Sequence, residues 1–463
     1  MRRDSLGFLS DCVHRYGDLV ALRVRLGPAL FVVTGPADVE HVLQKNHRNY
    51  WKGDLVRKIA RTLGEGLFSS DGDVWRRQRQ LIQPAFHHDR LNGLCDIMAA
   101  STHEIMAGWT AAERRKEPIN LAIEMPRLAL HIAARSLFGI GLEGDEERLV
   151  DDMTTVLAYA NDMVNHLVTL PLWVPTARNR EMCLALGRFD RLVTRIVEGR
   201  RRRLSNGGDL LTMLMDTRDA ETNQTMDDDR LRNEIMTFIT AGSETTAMSL
   251  AWAFHLLATH PDVEARCVAE LEQVLGDRDP QFADLQALPY TRMVFEESMR
   301  LYPPAWVLAR QTYAEDHLSG VTIPANSSVA LVPYLTHRDP RWWNQPERFD
   351  PDRFTPAGSA GRPEYAYYPF GGGPRGCIGR RFAMMEGLIV LSIVVRRYHL
   401  AAAPGPAPQV MPLFTLRPKN GIRMIPHPRH SLECGPKLVV QNPQNLATRG
   451  AAEKCTTRNV DGL

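Results

Sequence analysis

Phe370-Gly-Gly-Gly-Pro-Arg-Gly-Cys-Ile-Gly379 constrains this chain more than any other stretch. Five glycines surround a single cysteine, and a helical pattern follows over 378–397. Glycine lets a backbone pass close to a ligand and take positive φ. Cys377 stands just before a helix N-terminus, where unpaired N–H groups and the positive dipole end favour a thiolate. Arg375 adds a cation two residues away. The alternative is a Gly-rich turn holding an ordinary buried cysteine, and the order and spacing of the residues argue against it.

The remainder reads as one large, mainly helical domain. Leu19–Thr34 suggests a hairpin split at Gly27-Pro28, and 37–44 turns helical. Apolar periodicity then predicts helices over 73–83, 89–108, 118–137, 144–165, 179–204, 229–258, 261–275 and 290–301. Gly207-Gly208 and Gly276–Pro280 read as connecting turns. Strand-like segments lie in 303–335 and 409–425, with a long irregular stretch over 336–376. Residues 1–427 are expected to form the domain, and the polar segment 428–463 a disordered tail.

Composition narrows the function classes. Lys+Arg and Asp+Glu number 56 and 54, a net charge of +2, which gives no global reason for nucleic-acid binding. The seven cysteines are scattered and never form a CxxC pair, against a zinc site or a disulfide framework. The longest apolar run, Gly387 to Val395, is too short to cross a bilayer. A cytoplasmic protein without a membrane anchor is expected, although a segment preceding Met1 stays open.

Three further segments carry chemistry-bearing residues. Ala241-Gly-Ser-Glu-Thr-Thr246 puts a helix-weakening glycine, a carboxylate and three hydroxyls inside the most apolar long helix. Ser243, Thr245 and Thr246 could simply bond back to preceding carbonyls, with Glu244 in an ion pair. Glu297-Ser-Met-Arg300 is an (i, i+3) pair, but so is Glu198-Gly-Arg-Arg201. Trp75-Arg-Arg-Gln-Arg79 places Trp75 and Arg79 on one helix face.

Together these segments resemble the cytochrome P450 family. Residues 370–379 match its haem-binding signature F-G-x-G-x-R-x-C-x-G at every fixed position. Residues 241–246 match its oxygen-activation motif, and Glu297–Arg300 its ExxR helix, which position selects over Glu198–Arg201: it lies just before Leu301-Tyr-Pro-Pro and upstream of Pro346-Glu-Arg-Phe349. The resemblance covers about 5–427. It implies a P450 fold, mainly α with small β-sheets, with haem b (iron protoporphyrin IX) between the long central helix and the helix after the cysteine. Cys377 would be the axial ligand, Phe370 would pack beside its sulfur, and N–H groups around Gly379 would tune it. Trp75, Arg79, Arg375 and Arg310 would hold the haem propionates. Glu297, Arg300 and Arg348 would form a buried structural network. Thr245 would hold dioxygen and Glu244 would relay protons.

The activity implied is a monooxygenase that places one atom of O2 in a lipophilic substrate. Phe238, Ala241, Trp306, Val307, Leu413 and Phe414 are the expected substrate-facing positions. Electrons would come from a separate ferredoxin or flavodoxin-type donor with its NAD(P)H reductase, docking on a basic face of Arg375, Arg380 and Arg381 with Arg76 and Arg77. A monomer is expected. A peroxide-driven peroxygenase and a non-catalytic haem-thiolate sensor are the alternatives; neither needs the Glu244–Thr245 pair.

Overall fold

The computed structural model describes residues 4–23, 29–142, 145–165, 170–202, 210–216 and 225–429. The side chains at 55, 61–63, 88, 89, 164 and 165 are not among those described. The expected turns at Gly27-Pro28 and Gly207-Gly208, and the tail from 430, lie outside these residues.

Helices dominate, and one organises the others. Asp228–Thr259 runs for 32 residues, about 48 Å at 1.5 Å per residue. Asp227 caps it by accepting from Arg230 N–H at 2.8 Å. It is apolar on nearly every side, as a helix buried all round must be. Leu121–Phe138, Pro289–Leu301 and Arg380–Arg397 pack against it. A Cβ on Gly387 would lie 2.2 Å from the Phe295 ring, so a glycine is required where the last two helices touch. The small sheets pack around this bundle, and Tyr398 and Leu400 of one of them join its core. The largest has strands in the order Leu19–Leu22, Leu30–Val33, Ser328–Leu331, Leu308–Thr312 and Tyr50–Trp51, with one parallel pair.

Most expected helices are present to within three residues of their predicted ends. The segment 89–108 is instead broken into His88–Leu91, a 3-10 turn at Asn92–Leu94, and Cys95–Ala107. Asn92-Gly93 disfavours a continuous helix there. Ser5–Tyr16, Gly53–Leu63, Thr110–Arg115 and Leu210–Asp216 are helices that periodicity did not single out.

The irregular stretch 336–376 is held by side chains in place of a backbone ladder. Arg300 and Glu297 are both fully buried. Arg300 donates to both carboxylate oxygens of Glu297 at 2.6 and 2.8 Å. It also donates to the carbonyls of His337, Pro346 and Arg348 at 2.8, 2.7 and 3.1 Å. The third charged member differs from expectation. Arg348 is exposed and contributes only its carbonyl, whereas Arg353 Nε lies 3.3 Å from Glu297 Oε1. Pro-acid-Arg-Phe occurs twice, at 346–349 and 351–354, and only the second copy turns its arginine inward. The decoy pair Glu198–Arg201 is also resolved: Arg201 binds Asp228 and Glu198 binds Arg202, all on the surface.

A second buried charge pair fixes the loop 64–70 to the central helix. Gly66 passes so close that a Cβ there would lie 2.1 Å from Thr237 Oγ1. The next residue is gripped at both ends. Leu67 N–H donates to Glu234 Oε2 at 3.0 Å, and Lys52 Nζ donates to the Leu67 carbonyl at 2.6 Å. Burial pushes the Glu234 carboxyl up to about 7, against the Leu67 N–H and Lys52. Burial likewise pushes the Lys52 ammonium down to about 7, with Asp71 opposing and Arg375 and Arg310 adding to the shift.

Two outcomes are expected. Arg353→Ala leaves Glu297 undercompensated and should cost about 3–5 kcal/mol in denaturant titration. Arg348→Ala should cost less than about 0.5 kcal/mol, since only its backbone is used; equal losses would reject the assignment. A carboxyl raised on folding costs nothing below its unfolded pKa, and the cost grows as pH rises through the folded one. At pH 8 Lys52 is largely neutral, so Glu234 is a buried anion with little counter-charge. Glu234→Gln should then raise the melting temperature by about 2–5 °C at pH 8 and leave it nearly unchanged at pH 4.

Candidate functional site

A cavity of about 1940 Å³ lies between the central helix, the cysteine loop and the strands near 308 and 411. It exceeds the ~300–1,000 Å³ of an ordinary small-ligand pocket, room for more than one guest. Cys377 lines it, deep in the molecule yet open to the cavity space. The loop is shaped by close approaches. A Cβ on Gly373, at φ +60°, would lie 1.9 Å from the Leu43 carbonyl oxygen, and one on Gly372 would lie 2.4 Å from the Tyr365 ring. Cys377 N–H donates to the Phe370 carbonyl at 2.9 Å, closing the turn on itself. The helix Arg380–Arg397 starts immediately after. Burial pushes the Cys377 thiol up, while the Gly379 N–H, Arg79, Arg380 and the Arg380 N–H pull it down.

The cation beside the sulfur is therefore Arg79 with Arg380. Arg375, expected there, points away: it donates to the Tyr50 carbonyl at 2.9 Å and pairs with Asp71 at 2.8 Å. Its guanidinium lies 5.2 Å from the Trp75 ring centre. Arg79 donates to the Gly376 carbonyl at 2.7 Å, so it braces the loop from below. Arg310 sits in the cavity wall and meets only its neighbour's carbonyl, at 2.8 Å; burial pushes it down to about 10, Arg375 adding to that and Asp71 opposing. Lys52, which nothing in the sequence marked, joins this group. Lys52, Arg310 and Arg375 thus share Asp71, with Glu234 near Lys52. Arg375 Nε is buried without a hydrogen-bond partner. Buried cations in excess require an anion. This end of the cavity fits a ligand bearing two carboxylates.

The central helix forms another wall. Ala241, Gly242, Glu244 and Thr245 all line the cavity, and a Cβ on Gly242 would meet nothing within 4 Å. The space beside Gly242 is thus left open by the protein. Two of the hydroxyls bond back to the helix. Ser243 bonds back to Ile239 at 2.6 Å and Thr245 to Ala241 at 2.8 Å, while Thr245 still faces the cavity. Glu244, 1% exposed, is in an ion pair: Arg417 donates through Nε at 2.5 Å and Nη2 at 2.8 Å, and Thr415 adds a third bond at 2.8 Å.

Phe238, Ala241, Trp306, Val307, Leu413 and Phe414 all line the cavity. Trp306 fixes the Leu413 turn by donating to its carbonyl at 2.7 Å. Leu67 and Phe68 close another side, and Phe68 meets Phe414 edge to face at 5.8 Å. Of the expected basic face, Arg76, Arg380 and Arg381 are exposed, but Arg375 is buried and Arg76 pairs with Asp73. Sequence reasoning missed Lys52, Arg353, Thr415 and Arg417. Only Arg353 had a signal, the second Pro-acid-Arg-Phe repeat.

A flat macrocycle with two carboxylates and an iron open to a thiolate fits these walls: Cys377 at one face, the open side of Gly242 at another, and the cations at the rim. Comparisons with known proteins agree. The model of the cytochrome P450 family matches residues 2–425. Cyclooctatin synthase of Streptomyces melanosporofaciens is 37% identical over 437 residues, covering 93% of this chain and 92% of the relative. The cyclooctat-9-en-7-ol 5-monooxygenase of the same organism is 36% identical over 408 residues, covering 87% and 86%. The crystal structure of a cytochrome P450 (CYP102L1) superposes with a TM-score of 0.83 at 25% identity, over 93% of this chain and 99% of that one. No helix among the described residues is long and apolar enough to cross a membrane. A family match of this extent, on a fold shared over 93% of its length, makes the chain a member of the cytochrome P450 family: a haem-dependent monooxygenase that takes electrons from redox partners and oxidises lipophilic substrates.

Proposed function

We propose that this P450 binds haem b through Cys377 and hydroxylates a rigid, lipophilic alcohol in the cytoplasm. The observation that carries the reading is one cavity lined by the Cys377 thiol, the Thr245 hydroxyl and an excess of buried cations. Arg310, Arg375 and Lys52 would hold the propionates, with Trp75 and Arg79 bracing them and the cysteine loop. When bound, haem supplies the oxidising chemistry, in which two electrons and two protons cleave dioxygen and one oxygen atom enters the substrate.

The chain's own residues set the conditions for that chemistry. N–H groups of Gly379 and Arg380, with the Arg79 guanidinium, favour the ionised sulfur. At rest the Thr245 hydroxyl donates to Ala241, which leaves its oxygen lone pairs toward the cavity. Turning away from Ala241 frees that proton for a guest oxygen. Glu244, one residue earlier, is the carboxylate that can replace it. Phe238, Leu413, Phe414 and Val307 keep water away and position an apolar substrate. The presence of the Glu244–Thr245 pair favours oxygenase over peroxygenase or sensor.

The substrate is of the cyclooctat-9-en-7-ol kind, a cyclic hydrocarbon frame carrying one hydroxyl. Two relatives above 35% identity act in that chemistry by name, and among the apolar walls a polar side chain such as Gln409 could receive a hydroxyl. A monomer would receive electrons from a separate acidic ferredoxin or flavodoxin with its NAD(P)H reductase. Exposed Arg380 and Arg381, just after the cysteine, offer the complementary charge.

Reduced protein under carbon monoxide should show the red-shifted Soret band of thiolate ligation, and Cys377→His should lose it. A wild-type spectrum like that of a histidine-ligated globin would reject the assignment. Thr245→Ala should keep haem and substrate spectra, while product per electron falls several-fold and hydrogen peroxide rises. Unchanged coupling would move proton delivery to another path.

A further inference from the structure

The central helix carries hydroxyl side chains at 237, 240, 243, 245, 246 and 249. Most bond back to the carbonyl one turn earlier: Thr240 to Met236, Ser243 to Ile239 at 2.6 Å, Thr245 to Ala241 at 2.8 Å and Ser249 to Thr245 at 3.0 Å. Such back-bonding is the usual outlet for a hydroxyl inside a helix. The Thr237 and Thr246 hydroxyls bond to no described residue. Both line the cavity, at 9% and 3% exposure. Thr246 adjoins Thr245 and belongs to the reacting end. Thr237 stands eight residues before Thr245, about 12 Å along the helix axis. Phe238, Leu67 and Phe68 line the same cavity with apolar surface.

The surroundings of Thr237 account for its unused hydroxyl. The acceptor one turn earlier is the Asn233 carbonyl, and Gly66 packs over it. A Cβ on Gly66 would lie 2.6 Å from that oxygen and 2.1 Å from Thr237 Oγ1. Glu234 keeps the loop in this place by accepting from Leu67 N–H at 3.0 Å. The hydroxyl is therefore crowded off its usual acceptor and left to the cavity. A buried polar group without a partner is costly, and a guest that supplies one relieves the cost.

We infer that Thr237 binds the hydroxyl of the substrate and thereby decides which end of a cyclic alcohol reaches Thr245. This deepens the reading above and rests on it, since it takes the substrate to be a lipophilic alcohol. A threonine hydroxyl offers one donor and two lone pairs, so it meets an alcohol in either sense. Gln409 lines the same cavity but is exposed, where water competes for its amide. Thr237 is buried, where that competition is weak. An alcohol held there lies far from Thr245 along the helix, so oxidation falls on carbons away from the one that bears the hydroxyl.

The test is a spectral titration of the haem-loaded ferric protein with cedrol, patchoulol and borneol, each beside the hydrocarbon that lacks its hydroxyl: cedrane, patchoulane and bornane. The readout is the ratio of alcohol to hydrocarbon affinity. Thr237→Val keeps the shape of the side chain and removes the hydroxyl. In at least one pair it should lower the ratio about 3–10-fold, through the alcohol alone, with the hydrocarbon within about twofold of wild type. Thr237→Ser should keep the wild-type ratio. In turnover of that alcohol, Thr237→Val should spread the products over more carbons. A ratio unchanged by Thr237→Val in every pair, whether both affinities fall or neither does, would overturn the inference and leave the cyclic-alcohol reading in place. No Soret shift with any of the alcohols would reject that reading, and the inference with it.

Discussion

Arg300 is a fully buried cation with every N–H engaged. Its desolvation is tolerable only because Glu297 balances the charge and three carbonyls take the remaining donors. Those carbonyls belong to His337, Pro346 and Arg348, in the stretch 336–376, whose helices are single turns such as Pro351–Phe354 and Pro356–Ser359 and which carries no strand. One guanidinium thereby replaces a backbone ladder and fixes the approach to the cysteine loop. Arg353 and the Asp350 N–H complete the shell around Glu297. The network touches no part of the cavity's reactive wall, which is why its failure should appear as lost fold and lost cofactor before lost chemistry.

The cysteine loop inherits that order and adds steric constraints. Gly372 and Gly373 press against Tyr365 and Leu43, so the loop is seated on the small N-terminal sheet region as well as on the helical core. Arg375 strengthens the same seat through the Tyr50 carbonyl and Asp71. A residue expected to act on sulfur acts on position instead. The sulfur's electrostatics come from the helix start and from Arg79, distant in sequence and adjacent in space.

Legibility followed locality. The thiolate loop, the Ala241–Thr246 segment and the Trp75–Arg79 face are contiguous, so their order could be read directly, and the structure brings them to one cavity. Long apolar periods gave the helices, including the central one, to within a few residues. Short helices such as Thr110–Arg115 and Leu210–Asp216 were missed because few turns carry little periodic signal, whereas Gly53–Leu63, as long as Gly72–Ile82, was overlooked although its apolar residues recur at helical spacing. Partner choice was harder still. Arg348 and Arg353 sit in near-identical tetrapeptides, and only the path of the chain decides which one reaches Glu297. Lys52, Thr415 and Arg417 lie far from any motif; their importance arises from a fold that buries opposite charges together.

Two carboxylates ten residues apart on the central helix, about 15 Å along its axis, each anchor a different segment. Glu234 holds the loop at Leu67, and Glu244 holds the hairpin through Thr415 and Arg417. The free sides of those segments then meet as Phe68 against Phe414. An aromatic edge-to-face contact of this kind is worth only about 0.5–1.5 kcal/mol beyond its area. The anchors are buried ion pairs and hydrogen bonds whose disruption costs more. The weak link in this side of the cavity is therefore the aromatic contact, and the strong links are on the helix.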